Sequence, residues 1–130
     1  MRNRRHALVL TGLLLFAGLA PARAGDAMPF SEAGFEAARQ AGKPILIEVS
    51  APWCPICKAQ KPILAKLAGE PRFKDLQIFA IDFDSQKDLL KRFDARMQST
   101  LIAFKGKAEV GRSVGETQQE WIEGLLEKTL

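Results

Sequence analysis

Residues 50–58 read Ser-Ala-Pro-Trp-Cys-Pro-Ile-Cys-Lys and hold both cysteines of the 130-residue chain. A pair of cysteines in a CxxC pattern can be half of a zinc site, a structural disulfide or a redox-active dithiol. Zinc ordinarily takes four Cys or His ligands, and the only histidine is His6, near the N-terminus. A bridge over so short a loop removes little entropy from the unfolded chain. These arguments favour the redox dithiol.

The N-terminal residues have the pattern of a secretory signal peptide. Met1 to His6 contains arginines, an uncharged run follows from Ala7 to Ala20, and residues 22–24 are Ala-Arg-Ala. This order is typical of a basic region, an apolar region and a cleavage site. The apolar run of about 14 residues is shorter than the roughly 20 needed to cross a bilayer. We therefore predict a cleaved signal over residues 1–24, export to a bacterial periplasm, and no membrane span after cleavage.

Removing this segment changes the net charge of the protein. The full chain carries +4, but four of its 19 basic residues precede residue 25, and all 15 acidic residues follow it. Residues 25–130 thus carry equal numbers of acidic and basic side chains, which gives no support for a nucleic-acid partner. The segment contains no histidine, which excludes His-based triads and His metal sites. Its length suits a single domain with one core.

Hydrophobic patterns in residues 25–130 predict strands that alternate with helices. We expect helices over residues 31–41, 55–68, 86–93 and 118–128, and strands over 45–49, 77–83, 100–104 and 109–114. Gly25 to Pro29 is expected to be a loose arm. The apolar run over 45–49 suits a strand buried on both faces. In the last helix, the side chains expected to face the core are Trp121, Ile122, Leu125 and Leu126. The predicted fold class is α/β, a mixed sheet flanked by helices.

The cysteine pair is expected where the first of these strands turns into a helix. Pro55 is a favoured first residue of a helix, so Cys54 should lie at the helix N-terminus. Free N–H groups and the helix dipole stabilise a thiolate there. Cys57 follows one turn later and should point inward. Cys54 is therefore the candidate nucleophile, and Cys57 is the candidate resolving thiol that attacks a mixed disulfide at Cys54.

From residue 28 onward the sequence resembles the thioredoxin family. Trp53 directly precedes the first cysteine, Pro62 matches the helix-kinking proline of the family, and Gly115 matches the glycine near its substrate groove. The resemblance implies a thioredoxin-like fold and thiol–disulfide oxidoreductase activity without a resident cofactor. It also implies a set of substrate-binding residues around the dithiol, namely Trp53, Pro55, Ile56, Gln98, Ser99, Thr100 and Gly115.

Glu48 falls where thioredoxins keep a buried acidic residue. In that family the residue takes a proton from the second cysteine, so the resemblance implies that Glu48 is the proton acceptor for Cys57. The alternative is a carboxylate at a sheet edge or in a salt bridge. A carboxylate buried within an apolar strand should have a raised pKa, which suits proton transfer.

Two positions depart from the thioredoxin pattern. The dipeptide between the cysteines is Pro55-Ile56 instead of Gly-Pro; a leading proline occurs in some glutaredoxins and in periplasmic disulfide oxidases. Ser99 stands where thioredoxins have a cis-proline that faces the dithiol. Either the bond before Ser99 is trans and the groove is reshaped, or it is cis at a cost of about 3–4 kcal/mol. We expect the loop to keep the family path, in which case Ser99→Pro would fold and Gln98 would pair its backbone with a client chain.

Several functions are compatible with an exported dithiol. The segment between Asp82 and Gln98 is too short for the helical insertion of the family's disulfide oxidases. This favours reduction of disulfides in exported client proteins by a monomer, with a membrane thiol carrier as the electron donor. A disulfide oxidase and a client-binding protein with an idle dithiol are alternatives. The rival of a different class is a metal-binding module, whose less shielded dithiol holds copper or an iron–sulfur cluster shared by two chains.

Overall fold

The computed structural model describes residues 26–130; the predicted signal over residues 1–24 lies outside them. The elements within these residues are β1 (Ala27–Pro29), α1 (Glu32–Gln40), β2 (Pro44–Ser50), α2 (Pro55–Ala68), β3 (Gln77–Asp82), α3 (Lys87–Arg92), β4 (Thr100–Lys105), β5 (Ala108–Val114) and α4 (Gln119–Glu127). A short 3-10 helix over Pro71–Phe73 follows α2. None of the helices in this part of the chain has the length and apolar character to cross a membrane.

The strands form one mixed sheet in the order β1-β3-β2-β4-β5. Strands β1 and β2 both run parallel to β3, whereas β4 runs antiparallel to β2 and to β5. Strand β2 is therefore central, and its residues 45–49 are all buried. The predicted mixed sheet, with a first long strand covered on both faces, is confirmed.

Alternate residues of β2 enter two separate hydrophobic clusters. Ile47 packs with side chains of α1 and α3 on one face of the sheet, for example Phe35 and Leu90. Leu46 packs with side chains of α2 and α4 on the other face, for example Leu64. Because side chains alternate along a strand, Glu48 shares the face of Leu46 and points toward α2. The register of β2 thus decides that the one charged residue of its buried stretch lies beneath the helix that carries the cysteines.

The helix boundaries follow local signals in the sequence. Ser31 caps α1 as predicted, with its Oγ accepting a hydrogen bond from the Gly34 N–H at 3.2 Å. Helix α2 begins at Pro55 and continues through Pro62. Since proline has no N–H, the carbonyl of Lys58 loses its intrahelical partner at that point. Both ends of α2 lie at the predicted residues.

The predicted loose arm is wrong, because residues 27–29 form an edge strand. Met28 pairs with Phe79 of β3, and the N–H of Phe30 donates to the carbonyl of Ala80 at 2.8 Å. The Phe30 ring then packs against Phe35 with a centroid separation of 5.4 Å. Three residues are too few to show an alternating pattern in the sequence. The strand exists because β3 offers a free edge and the neighbouring aromatic side chains anchor it.

The predicted inward orientation of Trp121 is also wrong. Trp121 is 67% exposed, whereas Ile122, Leu125 and Leu126 are buried as expected. Successive helical residues are separated by about 100°, so the spacing of the three buried residues defines the inner face. Trp121 lies one step outside that face.

Candidate active site

The two cysteines lie at the N-terminus of α2. Cys54 is the N-cap residue, with extended backbone geometry, and its Sγ accepts a hydrogen bond from the N–H of Cys57 at 3.1 Å. The two residues are joined by a disulfide, with their Cα atoms 5.3 Å apart. This geometry confirms the predicted placement of Cys54 at the helix N-terminus, where the N–H of Cys57 reaches its sulfur.

Burial does not distinguish the two cysteines. Cys57 is 1% exposed, which confirms its predicted inward position, and Cys54 is 0% exposed in the disulfide-bonded state. Both pack with Ala51 and Phe83. The assignment of Cys54 as nucleophile therefore depends on its capping position and stays a prediction.

Four exposed apolar side chains lie on three chain segments that meet at the same end of the sheet as the disulfide. We call them the apolar rim: Trp53, Ile56, Met97 and Val114, which are 55%, 39%, 50% and 57% exposed. Two flank the cysteines in sequence, one precedes β4, and the last ends β5. Pro55, also exposed, lies between the first two. Such a cluster of exposed apolar residues is typical of a surface that contacts another molecule.

Trp53 is held in place although its ring is exposed. Its indole Nε1 donates to both carboxylate oxygens of Asp84, at 3.0 and 3.2 Å. Its ring also meets Phe83 edge-on, at 6.4 Å between centroids. The sequence analysis missed Asp84 because it follows a different strand, and only the parallel pairing of β2 and β3 brings it beside Trp53.

The structure places Ser99 beside the end of β2 and helix α2, in an unusual backbone conformation. The Gln98–Ser99 bond is trans, and Ser99 has φ 59°, in the left-handed region. Its N–H donates to the carbonyl of Val49 at 2.8 Å. Proline fixes φ near about −65° and has no N–H to donate. The expectation that the loop keeps the family path is therefore wrong, and the folding of Ser99→Pro stays a prediction to be tested.

The other predicted groove residues lie around Ser99. The carbonyl of Ser99 accepts a bond from the N–H of Gly115 at 3.1 Å, which joins the two loops. Gly115 has φ 71°, a conformation that favours glycine. Thr100 is 1% exposed, and its hydroxyl donates to the carbonyl of Met97, so its side chain shapes the loop. Gln98 is half-buried, and its carbonyl accepts the Ser99 hydroxyl.

Gln60 is a further residue of the site that the sequence analysis missed. It is 0% exposed, and its side-chain Nε2 donates to the carbonyls of Ser99 at 3.2 Å and Glu116 at 2.9 Å. A glutamine in a helix ordinarily indicates a solvent-facing position. The available signal was its spacing, since Gln60 is one turn after Cys57 and shares its inward face.

Glu48 is buried in the centre of the sheet, and an edge position is excluded because β2 has neighbours on both sides. It is 4% exposed, and its Oε1 has no hydrogen-bond partner among the described residues. Burial raises the pKa of Glu48, and the positive charge of Lys61 partly opposes this increase. Both residues line a cavity of about 410 Å³ between the sheet and α2. Lys61 was also missed, because only the fold brings its helix over β2.

The described residues contain no ready-made metal site. Across residues 26–130, His, Cys, Asp and Glu side chains do not gather in groups of three or more that could hold a metal ion. Cys54 and Cys57 are two potential sulfur ligands, and copper or an iron–sulfur cluster would require further ligands from elsewhere. Metal binding at the dithiol stays a prediction that depends on a second chain.

Comparison with known proteins gives a consistent result. A model of the Thioredoxin family matches residues 27–128. The H-type thioredoxin of Brassica campestris is 33% identical over 93 residues, covering 72% of this chain and 73% of that protein. The thioredoxin of Alicyclobacillus acidocaldarius is 29% identical over 103 residues, covering 79% of this chain and 97% of that protein. Among solved structures, Trxlp from Edwardsiella tarda EIB202 is 40% identical, with a TM-score of 0.75 over 78% of this chain and 98% of that chain. The thioredoxin fold expected from the sequence is confirmed.

Substitution of Ser99 tests the path of the loop. Ser99→Pro should lower the free energy of unfolding by about 3 kcal/mol or more, because proline cannot adopt the positive φ and loses the bond to Val49. Ser99→Gly should leave it unchanged or raise it, because glycine adopts this φ without steric cost. Urea denaturation of the oxidised proteins measures both. A proline variant as stable as the wild type would show that the loop can take a cis path after all.

The pH dependence of stability tests the burial of Glu48. Because the folded-state pKa is raised above the ordinary value of 4.5, the contribution of Glu48 to stability is fully present below that value and is lost as pH rises through the folded pKa. Glu48→Gln cannot ionise, so its melting temperature should exceed that of the wild type by an amount that grows as the pH rises from the ordinary value of 4.5 through the folded-state pKa.

Thermal denaturation of the oxidised proteins across this range provides the measurement for Glu48. Asp75→Asn is the control, since Asp75 is exposed. The difference in melting temperature between this control and the wild type should change much less with pH. A constant difference for Glu48→Gln would mean that the carboxyl titrates as it does in the unfolded chain.

Proposed function

Because the chain belongs to the thioredoxin family of thiol–disulfide oxidoreductases, we propose that its Cys54–Cys57 pair reduces disulfides in exported client proteins. The observation that carries this proposal is the capped disulfide at the start of α2, at the same end of the sheet as the apolar rim. The family establishes thiol–disulfide exchange at this pair. The direction of electron flow, the clients and the compartment are the proposed part.

In the first step, the reduced protein forms a mixed disulfide with its client. The thiolate of Cys54 attacks one sulfur of the client disulfide, which breaks that bond and releases the other client sulfur as a thiolate. The N–H of Cys57 bonds the Cys54 sulfur in the oxidised protein. The same donor, together with the helix dipole, would stabilise negative charge on Cys54 before the attack.

In the second step, Cys57 resolves the mixed disulfide. Its thiol loses a proton and attacks the Cys54 sulfur. This restores the intramolecular disulfide and releases, as a thiolate, the client sulfur that was bound to Cys54. Two electrons have then passed from the protein to the client. Glu48 is the proposed proton acceptor, since burial raises its pKa and makes its carboxylate a stronger base than an ordinary glutamate. The cavity that it lines with Lys61 has room for water to carry that proton to solvent.

The client surface is proposed to combine apolar contacts with backbone pairing. The apolar rim would contact side chains on both sides of the client cysteine. Although the loop does not take the family path, Gln98 is still proposed to offer its backbone to a client chain in extended conformation. Its carbonyl already accepts the Ser99 hydroxyl, but a carbonyl oxygen has a second lone pair for a client N–H.

The compact body favours reduction over oxidation. Between β3 and β4 the chain has only α3, over Lys87–Arg92. This leaves no room for the helical insertion that the resemblance associates with disulfide oxidases. The export pattern over residues 1–24 would place the protein in the periplasm, where a membrane thiol carrier would have to reduce the Cys54–Cys57 disulfide after each turnover.

Trapping of mixed disulfides tests the two cysteine roles. Cys57→Ala should accumulate mixed disulfides with exported proteins through Cys54, because no resolving thiol remains, whereas Cys54→Ala should accumulate few. Acid-quenched periplasmic fractions on non-reducing gels, followed by mass spectrometry, identify the adducts. Equal trapping by both variants would remove the distinction, and stronger trapping by Cys54→Ala would reverse the roles.

The redox state of the dithiol tests the direction of electron flow. We expect the pair to be mainly reduced in intact cells and to have a potential near that of thioredoxin, about −270 mV. Alkylation of acid-quenched cells and equilibration with glutathione measure these two quantities. A mainly oxidised pair with a potential above about −150 mV would favour the oxidase. Stoichiometric copper or iron in the same sample would favour the metal-binding module.

A further inference from the structure

We infer that Gln60 is a positioning residue that holds the two loops of the proposed client surface in place against helix α2. The inference rests on the proposed reduction of client proteins and adds a residue that determines how they bind. Two neighbouring loops carry this surface: the first wall, residues 97–99, and the second wall, residues 114–116. Gln60 reaches both from α2, through its hydrogen bonds to the carbonyls of Ser99 and Glu116.

The burial of Gln60 shows that these bonds are what its side chain contributes. The residue is 0% exposed and lies on the inner face of α2, which also carries Leu64 and Leu67. Its Oε1 has no partner within residues 26–130. An apolar side chain at this position would bury no unpaired polar atom. If packing alone mattered, an apolar side chain would be more favourable here than glutamine. The hydrogen bonds to the two loop carbonyls are what glutamine adds.

The two bonds of Gln60 complete a closed connection between the walls. The carbonyl of Ser99 accepts from both the Gly115 N–H and the Gln60 side chain, at 3.1 and 3.2 Å. The carbonyl of Glu116 accepts from the same Gln60 nitrogen. The walls are thus bonded to each other and to the helix that carries the cysteines. Without Gln60, they would remain joined to each other but would lose this link to α2.

The arrangement predicts an effect on client binding and not on the sulfur chemistry. The walls carry Met97 and Val114 of the apolar rim and the backbone of Gln98. A groove that is already ordered avoids the entropy loss of ordering loops when an extended peptide binds. The hydrogen bonds of Gln60 go to loop carbonyls, whereas the sulfur of Cys54 is capped by the N–H of Cys57. A small disulfide that needs no groove should therefore react normally without Gln60.

Two substrates separate these effects in Gln60→Leu and Gln60→Met. With dithiothreitol as electron donor, KM for insulin should rise about fivefold in both variants, as expected for the loss of a hydrogen bond, with kcat little changed. The rate constant for the reaction of the pre-reduced protein with the small disulfide 5,5′-dithiobis(2-nitrobenzoate), measured without dithiothreitol, should stay within about twofold of the wild-type value. Gln40→Leu is the matched control, since Gln40 is an exposed helical glutamine at the end of α1; it should change neither rate.

Two outcomes with these variants would overturn the inference. Equal losses with insulin and the small disulfide would mean that Gln60 acts on the dithiol. An unchanged KM for insulin together with a lower melting temperature would reduce Gln60 to a stabilising residue. Failure of the wild type to reduce insulin would instead count against the proposed function. In that case, or if the variants do not fold, a measurement on the wild type decides.

That measurement is hydrogen exchange of the Gln60 side-chain amide by NMR. If the amide holds both walls, its protons should exchange at least about tenfold more slowly than those of the exposed Gln40. Equally slow exchange of the Gly115 backbone N–H, which bonds the carbonyl of Ser99, would show that the walls stay joined on the same timescale. Exchange of Gln60 as fast as that of Gln40 would overturn the inference.

Discussion

The sulfur of Cys54 caps helix α2, and this contact fixes where the chemistry takes place. Strand β2 is central in the sheet and buried along residues 45–49, so its end has little freedom to move. Only residues 51–53 separate β2 from the cap. The core therefore holds the dithiol in a fixed position, although the dithiol lies near a surface of exposed apolar residues. The cap also places the N–H of Cys57 and the positive end of the helix dipole at the sulfur on which negative charge develops.

The same strand anchors the loop on the other side of the disulfide. The carbonyl of Val49 in β2 accepts a hydrogen bond from the N–H of Ser99. The segment that leads from β2 to the cysteines and the loop that contains Ser99 are therefore both held at Val49. A proline at position 99 would have no N–H for this bond, and the left-handed conformation of Ser99 turns the chain without a cis peptide. Gln60 and Gly115 then bond the carbonyl of Ser99. Hydrogen bonds to the N–H and the carbonyl of Ser99 thus hold the loop at this position.

Glu48 is unfavourable for stability and suited to the proposed proton transfer. A carboxyl in the central strand loses its hydration, and its Oε1 gains no hydrogen bond from the described residues. Lys61, on the helix that covers it, reduces this penalty by its charge without removing it. The cavity between the two residues leaves the carboxyl connected to a space that water can enter. The raised pKa is thus a consequence of where the register of β2 places the residue.

The sequence by itself determined the α/β class, the long buried strand, the start of α2 at Pro55 and the capping position of Cys54, because each depends on a local pattern of a few residues. It could not determine β1, whose three residues form a strand only because β3 has a free edge. Nor could it determine the trans path at Ser99, since that depends on a hydrogen bond to Val49. The partners of Trp53 and Glu48, Asp84 and Lys61, belong to other elements of the chain. Tertiary structure decided these features, because contacts between residues distant in sequence have no signature within either segment alone.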